Sequence, residues 1–180
     1  MGDPKKPKKK YKTPKFPWRK EILQEELSLL GEYGLRNKRE LWRYTTMLSK
    51  IRSNARSLLG KTAKERAHQE RELLDRLFRM GILPKEALLD DVLDLSVKDL
   101  LNRRLQTIVF KKGLAKTPYQ ARQFITHGHI AIGNRRVTSP GYMVSREEEP
   151  LVQYFPKSSL ADPSHPLRQA ITQLVEVKES

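Results

Sequence analysis

The feature that most limits the fold is a long stretch without proline whose apolar residues recur at helical spacing. No proline occurs between Trp18 and Leu83. Leucine, isoleucine and aromatic residues return there every three or four positions, as they do on one face of a helix. Residues suited to begin or end helices punctuate the stretch. It therefore predicts helices over 21–30, 37–60 and 62–81, whose ends are marked by Gly31, Asn37, Gly60, Thr62 and Gly81.

Further helices and then a small sheet are predicted downstream. Residues 87–95 predict a short helix, and Ser96 with Asp99 has the spacing of a capping box that opens one helix running to Gly113. Thr117 followed by Pro118 begins another helix. After Gly128 the pattern changes to short strands and turns, at 129–132, 135–138, 142–145 and 151–155.

These elements predict an α+β chain in which a helical N-terminal lobe precedes a helix–helix–small β-sheet module. The first 17 residues contain four prolines and seven lysines, a composition that cannot bury enough apolar area to become ordered by itself. We predict a disordered basic tail over 1–17, the helical lobe over 18–101, the module over 102–160 and a C-terminal extension over 161–180.

Charge is distributed unevenly along the chain, whose formal net charge is +15. Residues 1–20 carry nine basic and one acidic side chain, and residues 102–146 carry nine basic and no acidic side chains. Surfaces exposed to water usually mix the two signs, because like charges repel each other. The pattern favours a polyanion such as nucleic acid as ligand. An anionic membrane surface, which requires an amphipathic apolar face, and a solvated basic face are the alternatives.

Composition excludes several classes of protein. The longest run without Asp, Glu, Lys or Arg is twelve residues, 123–134, whereas a membrane-spanning helix needs about 20 apolar residues. The first twenty residues lack the apolar segment of a secretory signal. The chain has no cysteine, so disulfides and thiolate metal sites are excluded, and a reducing compartment is consistent with this composition.

Two short motifs suggest ligand chemistry, but their surroundings argue against it. Residues 55–62 (ARSLLGKT) nearly spell a phosphate-binding loop, yet they follow a helical pattern and not a strand. His127 and His129 could offer two imidazoles to a metal ion, but a tetrahedral site needs three or four ligands. The acidic groups at 90–91 and 147–149 lack apolar surroundings that would separate an acid from a base. We therefore predict no cofactor, no metal site and no catalytic residues.

The basic stretch of the module predicts the RNA-contacting side chains. Arg104 and Lys111 flank the apolar stripe of one helix and Arg122 lies beside that of the next, so their charged ends are expected to point outward. The turn at 134–136 adds amide and guanidinium groups, and the two histidines could touch RNA. Such donors suit recognition of RNA shape and phosphates. The apolar residues expected to hold the module together are Leu105, Phe124 and Ile125.

The same stretch resembles a known RNA-binding module. Residues 102–116 (NRRLQTIVFKKGLAK) and 119–131 (YQARQFITHGHIA) look like the module named after the fourth protein of the small ribosomal subunit. Two further segments occur in the same order as in that family: RELLDRLFRMGIL at 71–83 and VTSPGY at 137–142. The whole chain is similar to the family of small-subunit ribosomal protein four in its archaeal-like form.

The resemblance implies a function and a set of contact residues. It implies a structural component of the small ribosomal subunit that binds small-subunit ribosomal RNA directly, nucleates assembly of the subunit body and influences translational accuracy. It further implies contact with neighbouring small-subunit proteins, a cytoplasmic and ribosome-bound location, and no enzymatic activity, membrane or small-molecule substrate. The RNA-binding residues expected from the pattern and the resemblance are Arg103, Arg104, Lys111, Lys112, Lys116, Arg122, His127, His129, Asn134, Arg135 and Arg136.

The chain departs from the family pattern in places. Gly133-Asn134 stands where the module usually has Asn-Gly, and the acidic run 147–149 stands where Gly-Asp is common. The N-terminal cysteines of some bacterial relatives are absent, so zinc is not implied. Because the module also occurs in other RNA-binding proteins, a stand-alone RNA chaperone or ribosome-rescue factor is the alternative. An RNA-modifying enzyme is a further alternative, although 180 residues leave no room for the large catalytic domain of such enzymes.

Overall fold

A computed structural model describes residues 9–171, apart from the side chains of residues 63 and 64. Seven α-helices precede and flank a small sheet in this part of the chain. The helices are α1 Lys20–Glu32, α2 Lys38–Leu59, α3 Ala63–Arg79, α4 Leu89–Asp94, α5 Val97–Asn102, α6 Leu105–Lys111 and α7 Pro118–Thr126. The strands are β1 Ile130–Ile132, β2 Arg135–Arg136 and β3 Val152–Tyr154, followed by a 3-10 turn at Ser159–Ala161 and a helical segment over residues 166–171. The predicted α+β class is confirmed.

Side-chain caps begin two of the helices as predicted. The Asn37 side chain accepts a hydrogen bond from the Glu40 backbone N–H at 3.1 Å, and the Thr117 hydroxyl accepts one from the Gln120 N–H at 3.1 Å. Both bonds satisfy an N–H group that has no partner within its own helix. Thr62 precedes α3 at the predicted helix end, but its side chain makes no capping hydrogen bond.

The end of α1 differs from the prediction. The helix continues through Gly31 to Glu32, and the chain turns at Gly34, whose φ is +59°. There the Leu35 N–H donates to the Leu30 carbonyl at 2.9 Å. A Cβ atom on Gly34 would lie 2.7 Å from the Cβ of Pro118. Gly34 therefore ends the helix because both the left-handed backbone and the close approach of α7 require a glycine.

The helix predicted from Ser96 to Gly113 is wrong in one respect: it is broken into α5 and α6 at Arg103 and Arg104. The Leu105 N–H donates to the Tyr142 carbonyl at 2.8 Å, and the Val144 N–H donates to the Arg103 carbonyl at 3.0 Å. Arg104 also forms an isolated antiparallel bridge with Met143. Backbone groups at the break thus pair with a distant segment, which replaces the hydrogen bonds of a continuous helix.

The described chain has two hydrophobic cores, and the boundary between them lies between Leu101 and Leu105. The first lies among α1–α5 and contains, for example, Ile51, Leu77 and Leu100. The second lies among α6, α7 and the sheet. The predicted core residues of the module are confirmed: Leu105, Phe124 and Ile125 are buried.

The sheet is small and antiparallel, with strand order β2-β1-β3. Ala131 of the central strand pairs with Arg136 on one side and Gln153 on the other. Gly133, with φ +58°, makes the turn between β1 and β2. This turn carries residues 134–136 out to the surface, where all three side chains are exposed.

Both ends of the described chain contact the folded part. Residues 9–17 form no helix or strand, but the Tyr11 ring lies 5.9 Å from the Trp42 ring, and the Lys12 N–H donates to the Thr46 hydroxyl at 2.9 Å. At the other end, Ile171 packs into the second core. The predicted disordered tail thus includes a part that lies against α2, and the predicted extension begins in contact with the module. Residues 1–8 of the tail and 172–180 of the extension lie outside the described residues.

Candidate nucleic-acid interface

Lysines at the end of α6 lie beside one end of the sheet. The Lys112 ammonium group donates to the carbonyls of Pro150 and Val152 at 3.2 and 3.3 Å. In the same region the Gly133 N–H donates to the Leu151 carbonyl at 2.8 Å. The β1–β2 turn and the end of α6 therefore both contact the segment that leads into β3. Lys111, the last residue of α6, is exposed next to Lys112.

The β1–β2 turn places its polar side chains on a fixed support. Arg136 lies against Gly128, where an added Cβ would be 3.0 Å from its Cδ atom, and its guanidinium lies 5.9 Å from the Phe155 ring centre. Gly128 has φ +79° and ends the turn after α7. Asn134 and Arg135 are exposed beside Arg136. We call the group of Lys111, Lys112, His127, Asn134, Arg135 and Arg136 the exposed basic surface.

The two histidines have different surroundings. His127 is exposed at the end of α7, and its ring stacks on that of His129 with 6.4 Å between the centres. His129 is half-buried, and its Nδ1 lies 2.7 Å from the Ser158 hydroxyl. Burial, reinforced by the nearby His127 and His165, lowers the pKa of His129 below its ordinary value. His129 is therefore mostly uncharged at neutral pH and adds little to the positive charge of the interface.

Lys116 lies apart from most of this surface. It is exposed just before α7, where its backbone N–H donates to the Gln120 side chain at 2.7 Å. His127 follows the opposite end of the same helix. Lys116 is thus available to a large ligand but does not belong to the cluster around the turn.

Arg104 does not point outward, so the predicted orientation of this side chain is wrong. Its side chain is 1% exposed, and its Nη2 atom donates to the Glu40 carboxylate at 2.9 Å. The guanidinium also lies 5.2 Å from the centre of the Tyr44 ring. Because the chain breaks between α5 and α6, the Arg104 side chain points into the space between the two cores, where it contacts Glu40 of α2. Its Nε and Nη1 atoms are buried without a hydrogen-bond partner among the described residues.

Arg122 contacts the same carboxylate. Its Nη2 and Nη1 atoms donate to the two Glu40 oxygens at 2.7 and 3.1 Å, a bidentate pair, and its side chain is 21% exposed. Burial alone would raise the pKa of Glu40, but the hydrogen bonds from Arg122 and Arg104 hold this pKa below its ordinary value. One carboxylate of the helical lobe therefore binds two arginines of the module, and both predicted RNA-binding side chains are engaged within the protein.

Arg103 is also held by an internal partner. Its Nη1 atom donates to the Glu149 carboxylate at 2.6 Å, and its Nη2 atom donates to the carbonyls of Val144 and Ser145. The guanidinium packs so closely on Gly81 that a Cβ there would lie 2.8 Å from its Cζ atom. Arg103 therefore joins the end of α3 to the loop before β3.

Sequence reasoning missed the residues that receive these arginines. Glu40 is separated from Arg104 and Arg122 by 64 and 82 residues, so no local spacing connects them. Gln106 was also missed: its side-chain NH2 group donates to the Gly34 carbonyl of the helical lobe at 2.8 Å and to the Pro118 carbonyl of the module at 2.9 Å. The absence of acidic residues over 102–146 is the one signal in the sequence for these pairs, because buried arginines of that stretch need carboxylates from other parts of the chain.

Other kinds of site find no support in the described residues. No group of three or more His, Cys, Asp or Glu side chains over 9–171 is arranged to hold a metal ion. In the same part of the chain, no helix combines the length and apolarity needed to cross a bilayer.

Family comparisons divide the chain at the same place as the two cores. Residues 5–102 match the family model described as the ribosomal protein S4/S9 N-terminal domain. Residues 103–150 match the model described as the S4 domain. The broken helix at Arg103 and Arg104 thus lies at the junction of the two matches.

Curated relatives match nearly the whole length of the chain. Small ribosomal subunit protein uS4 of Ignicoccus hospitalis is 59% identical over 158 residues, which covers 88% of this chain and 95% of that protein. The proteins of the same name from Hyperthermus butylicus and Saccharolobus solfataricus are each 57% identical, over 89% and 88% of this chain and 92% and 88% of their own lengths. With two adjoining family matches and relatives of this similarity, the chain belongs to the family of small ribosomal subunit protein uS4.

Proposed function

We propose that this protein is a structural component of the small ribosomal subunit that binds small-subunit ribosomal RNA directly. The observation that carries the proposal is the exposed basic surface, which combines cations from α6 and the β1–β2 turn in a chain of this family. Four of its members, Lys111, Lys112, Arg135 and Arg136, are lysines and arginines at exposed positions. No acidic residue lies in sequence between the first and the last of them.

The surface suits an RNA ligand because its charges stand on a rigid support. Lys112 is fixed by two carbonyls and Arg136 by Gly128 and Phe155. Cations held in this way match the phosphates of a folded RNA and recognise its shape more than its sequence. Arg103, Arg104 and Arg122 do not belong to this surface, since Glu149 and Glu40 accept their hydrogen bonds.

Membership of the family extends the proposal to the biology of the subunit. The protein would bind early, nucleate assembly of the subunit body, contact neighbouring small-subunit proteins and influence translational accuracy. It would act in the cytoplasm, bound to the ribosome, without enzymatic activity and without a small-molecule substrate.

The salt dependence of RNA binding tests the proposal. If about five to eight phosphates are neutralised, the logarithm of affinity for a small-subunit ribosomal RNA transcript should fall against the logarithm of salt concentration with a slope of about −4 to −7. An unrelated RNA of equal length is the control, and it should bind more weakly with a similar slope. A slope near zero would show that the basic surface faces only water.

A further inference from the structure

We propose that Trp18 stacks on an unpaired base of single-stranded RNA, which makes residues 9–20 a second RNA-binding surface on the helical lobe. The inference rests on the proposed function, because it takes RNA as the ligand of the protein. It adds a site outside the module and outside the exposed basic surface.

The first observation is the exposure of two aromatic side chains. Trp18 is 86% exposed and Phe16 is 51% exposed, in a turn just before α1. Tryptophan is among the more buried residue types on average, because its ring has a large apolar area. A single exposed apolar residue is ordinary, but an almost fully exposed indole beside a second ring is suited to contact a flat ligand.

The second observation is that the segment is held at both ends. Upstream, the Tyr11 ring packs on Trp42 and the Lys12 N–H donates to Thr46 at 2.9 Å. Downstream, the Arg19 N–H bonds the Phe16 carbonyl at 3.5 Å, and α1 begins at the next residue. Pro14 and Pro17 restrict the backbone between these points. A ring on such a segment loses less conformational entropy on binding than a ring on a free tail.

The third observation is the charge around the rings. Residues 9–20 contain six lysines and arginines and no acidic residue. The Lys15 ammonium lies 5.6 Å and the Arg19 guanidinium 4.9 Å from the centre of the Phe16 ring. Phe16 therefore helps to hold these cations, while Trp18 presents its ring to solvent.

Together these features match single-stranded RNA. Proteins that bind single strands combine cations that follow the phosphates with aromatic rings that stack on the bases. A base within a duplex has both faces covered by its neighbours, so only an unpaired base could use Trp18. The positive charge disfavours a basic protein as occupant, and a polyanion with exposed bases uses both the cations and the indole.

Fluorescence of the full-length protein tests the inference. The Tyr11–Trp42 contact stays intact when the unaltered protein, which has two tryptophans, is compared with Trp18→Phe, because the difference in emission belongs to Trp18. We expect its emission to be quenched by an oligoadenylate of about 12 nucleotides, which lies within the site sizes of single-strand binders. An adenine–uracil duplex of the same length, with both ends closed by covalent linkers so that no terminal base pair has a free face, should bind without quenching it.

Affinity measurements on the unaltered background provide a second, independent readout. Trp18→Ala should weaken binding of the oligoadenylate roughly 5- to 100-fold, the loss expected for one stacked base. Trp18→Phe should keep most of the affinity, and neither variant should change the salt slope, because no charge is removed. Leu27→Ala is the matched control, since it removes another exposed apolar side chain, 56% accessible, from the same lobe.

The outcomes separate this inference from the proposed function. Unquenched Trp18 emission with bound oligoadenylate, or equal affinities of parent and Trp18→Ala, overturns the stacking site while ribosomal RNA binding remains intact. Loss of a neighbouring protein from subunits reconstituted with Trp18→Ala, at unchanged oligoadenylate affinity, overturns it in favour of a protein contact. Failure of the unaltered protein to bind small-subunit ribosomal RNA overturns the proposed function itself.

Discussion

The helices of the module and its β1–β2 turn lie in one stretch without acidic residues, yet they use arginine in opposite ways. Arg104 and Arg122, at the start of α6 and on α7, bind Glu40 of the helical lobe and are 1% and 21% exposed. Arg135 and Arg136, on the turn, face solvent. The sequence shows that this stretch needs negative charges from elsewhere. The fold decides which of its cations pair with carboxylates of the protein and which remain for a ligand.

The strongest test of this comparison removes the shared carboxylate. Glu40→Ala should lower the free energy of unfolding by about 3–5 kcal/mol, because it leaves the buried Arg104 without its charged partner. Denaturant unfolding followed by circular dichroism measures this change. Glu25→Ala, at an exposed position of α1, is the control and should stay within about 0.5 kcal/mol of the parent. Equal stabilities of the two variants would show that the pairing does not hold the lobes.

A smaller loss is expected from the partly exposed arginine. Arg122→Ala removes a bidentate pair but leaves Glu40 with Arg104, so the cost should be about 1–3 kcal/mol. The sequence alone predicted that Arg122 points outward to RNA, a position at which no loss of stability would be expected. Arg135→Ala is the matched control, with a stability change within about 0.5 kcal/mol. If Arg122→Ala melts like the parent, the pair contributes nothing and Arg122 is free for RNA.

The turn should show the reverse behaviour. Replacing Arg135 and Arg136 together by Ala should leave unfolding nearly unchanged, since both side chains are exposed. Binding to small-subunit ribosomal RNA should weaken by about 1–2 kcal/mol, and the salt slope should become shallower by about two, one for each lost phosphate contact. A filter-binding titration at several salt concentrations gives both quantities. An unchanged slope would place the RNA on another face.

The smallest effect is expected from acid. The pKa of Glu40 is lowered in the folded protein, so its contribution is complete above the unfolded value near 4.5 and is lost as the pH falls through the folded pKa. The stability difference between the parent and Glu40→Gln should therefore be constant from pH 7 to about 5 and shrink towards pH 3. Urea midpoints of both proteins across this range measure it. A difference independent of pH would mean that the carboxylate charge is not what holds the arginines.

Local patterns predicted those parts of the structure that local interactions determine. The caps of α2 and α7 at Asn37 and Thr117, and the core positions Phe124 and Ile125, follow from spacing and side-chain chemistry. The exposed turn at 134–136 followed from the change of periodicity after Gly128.

What escaped prediction depends on distant segments. The break between α5 and α6 forms because residues 140–144 supply hydrogen bonds to Leu105 and Arg103. Gly34 rather than Gly31 ends α1, because Pro118 packs against it from 84 positions downstream. The inward direction of Arg104 has the same origin, since only the assembled lobes bring Glu40 to it.

The separation of Glu40 from its partners also sets a sequence of events during synthesis. Arg122 follows Glu40 by 82 residues, a length that ribosomes make in roughly 4–16 s at about 5–20 residues per second. The residues of the first core end at Leu101, so the helical lobe is complete in sequence before α7 exists, and Glu40 stays hydrated in the meantime. The nascent module then meets a carboxylate already in place on α2, and the full set of hydrogen bonds to Glu40 can form only after α7 has been made.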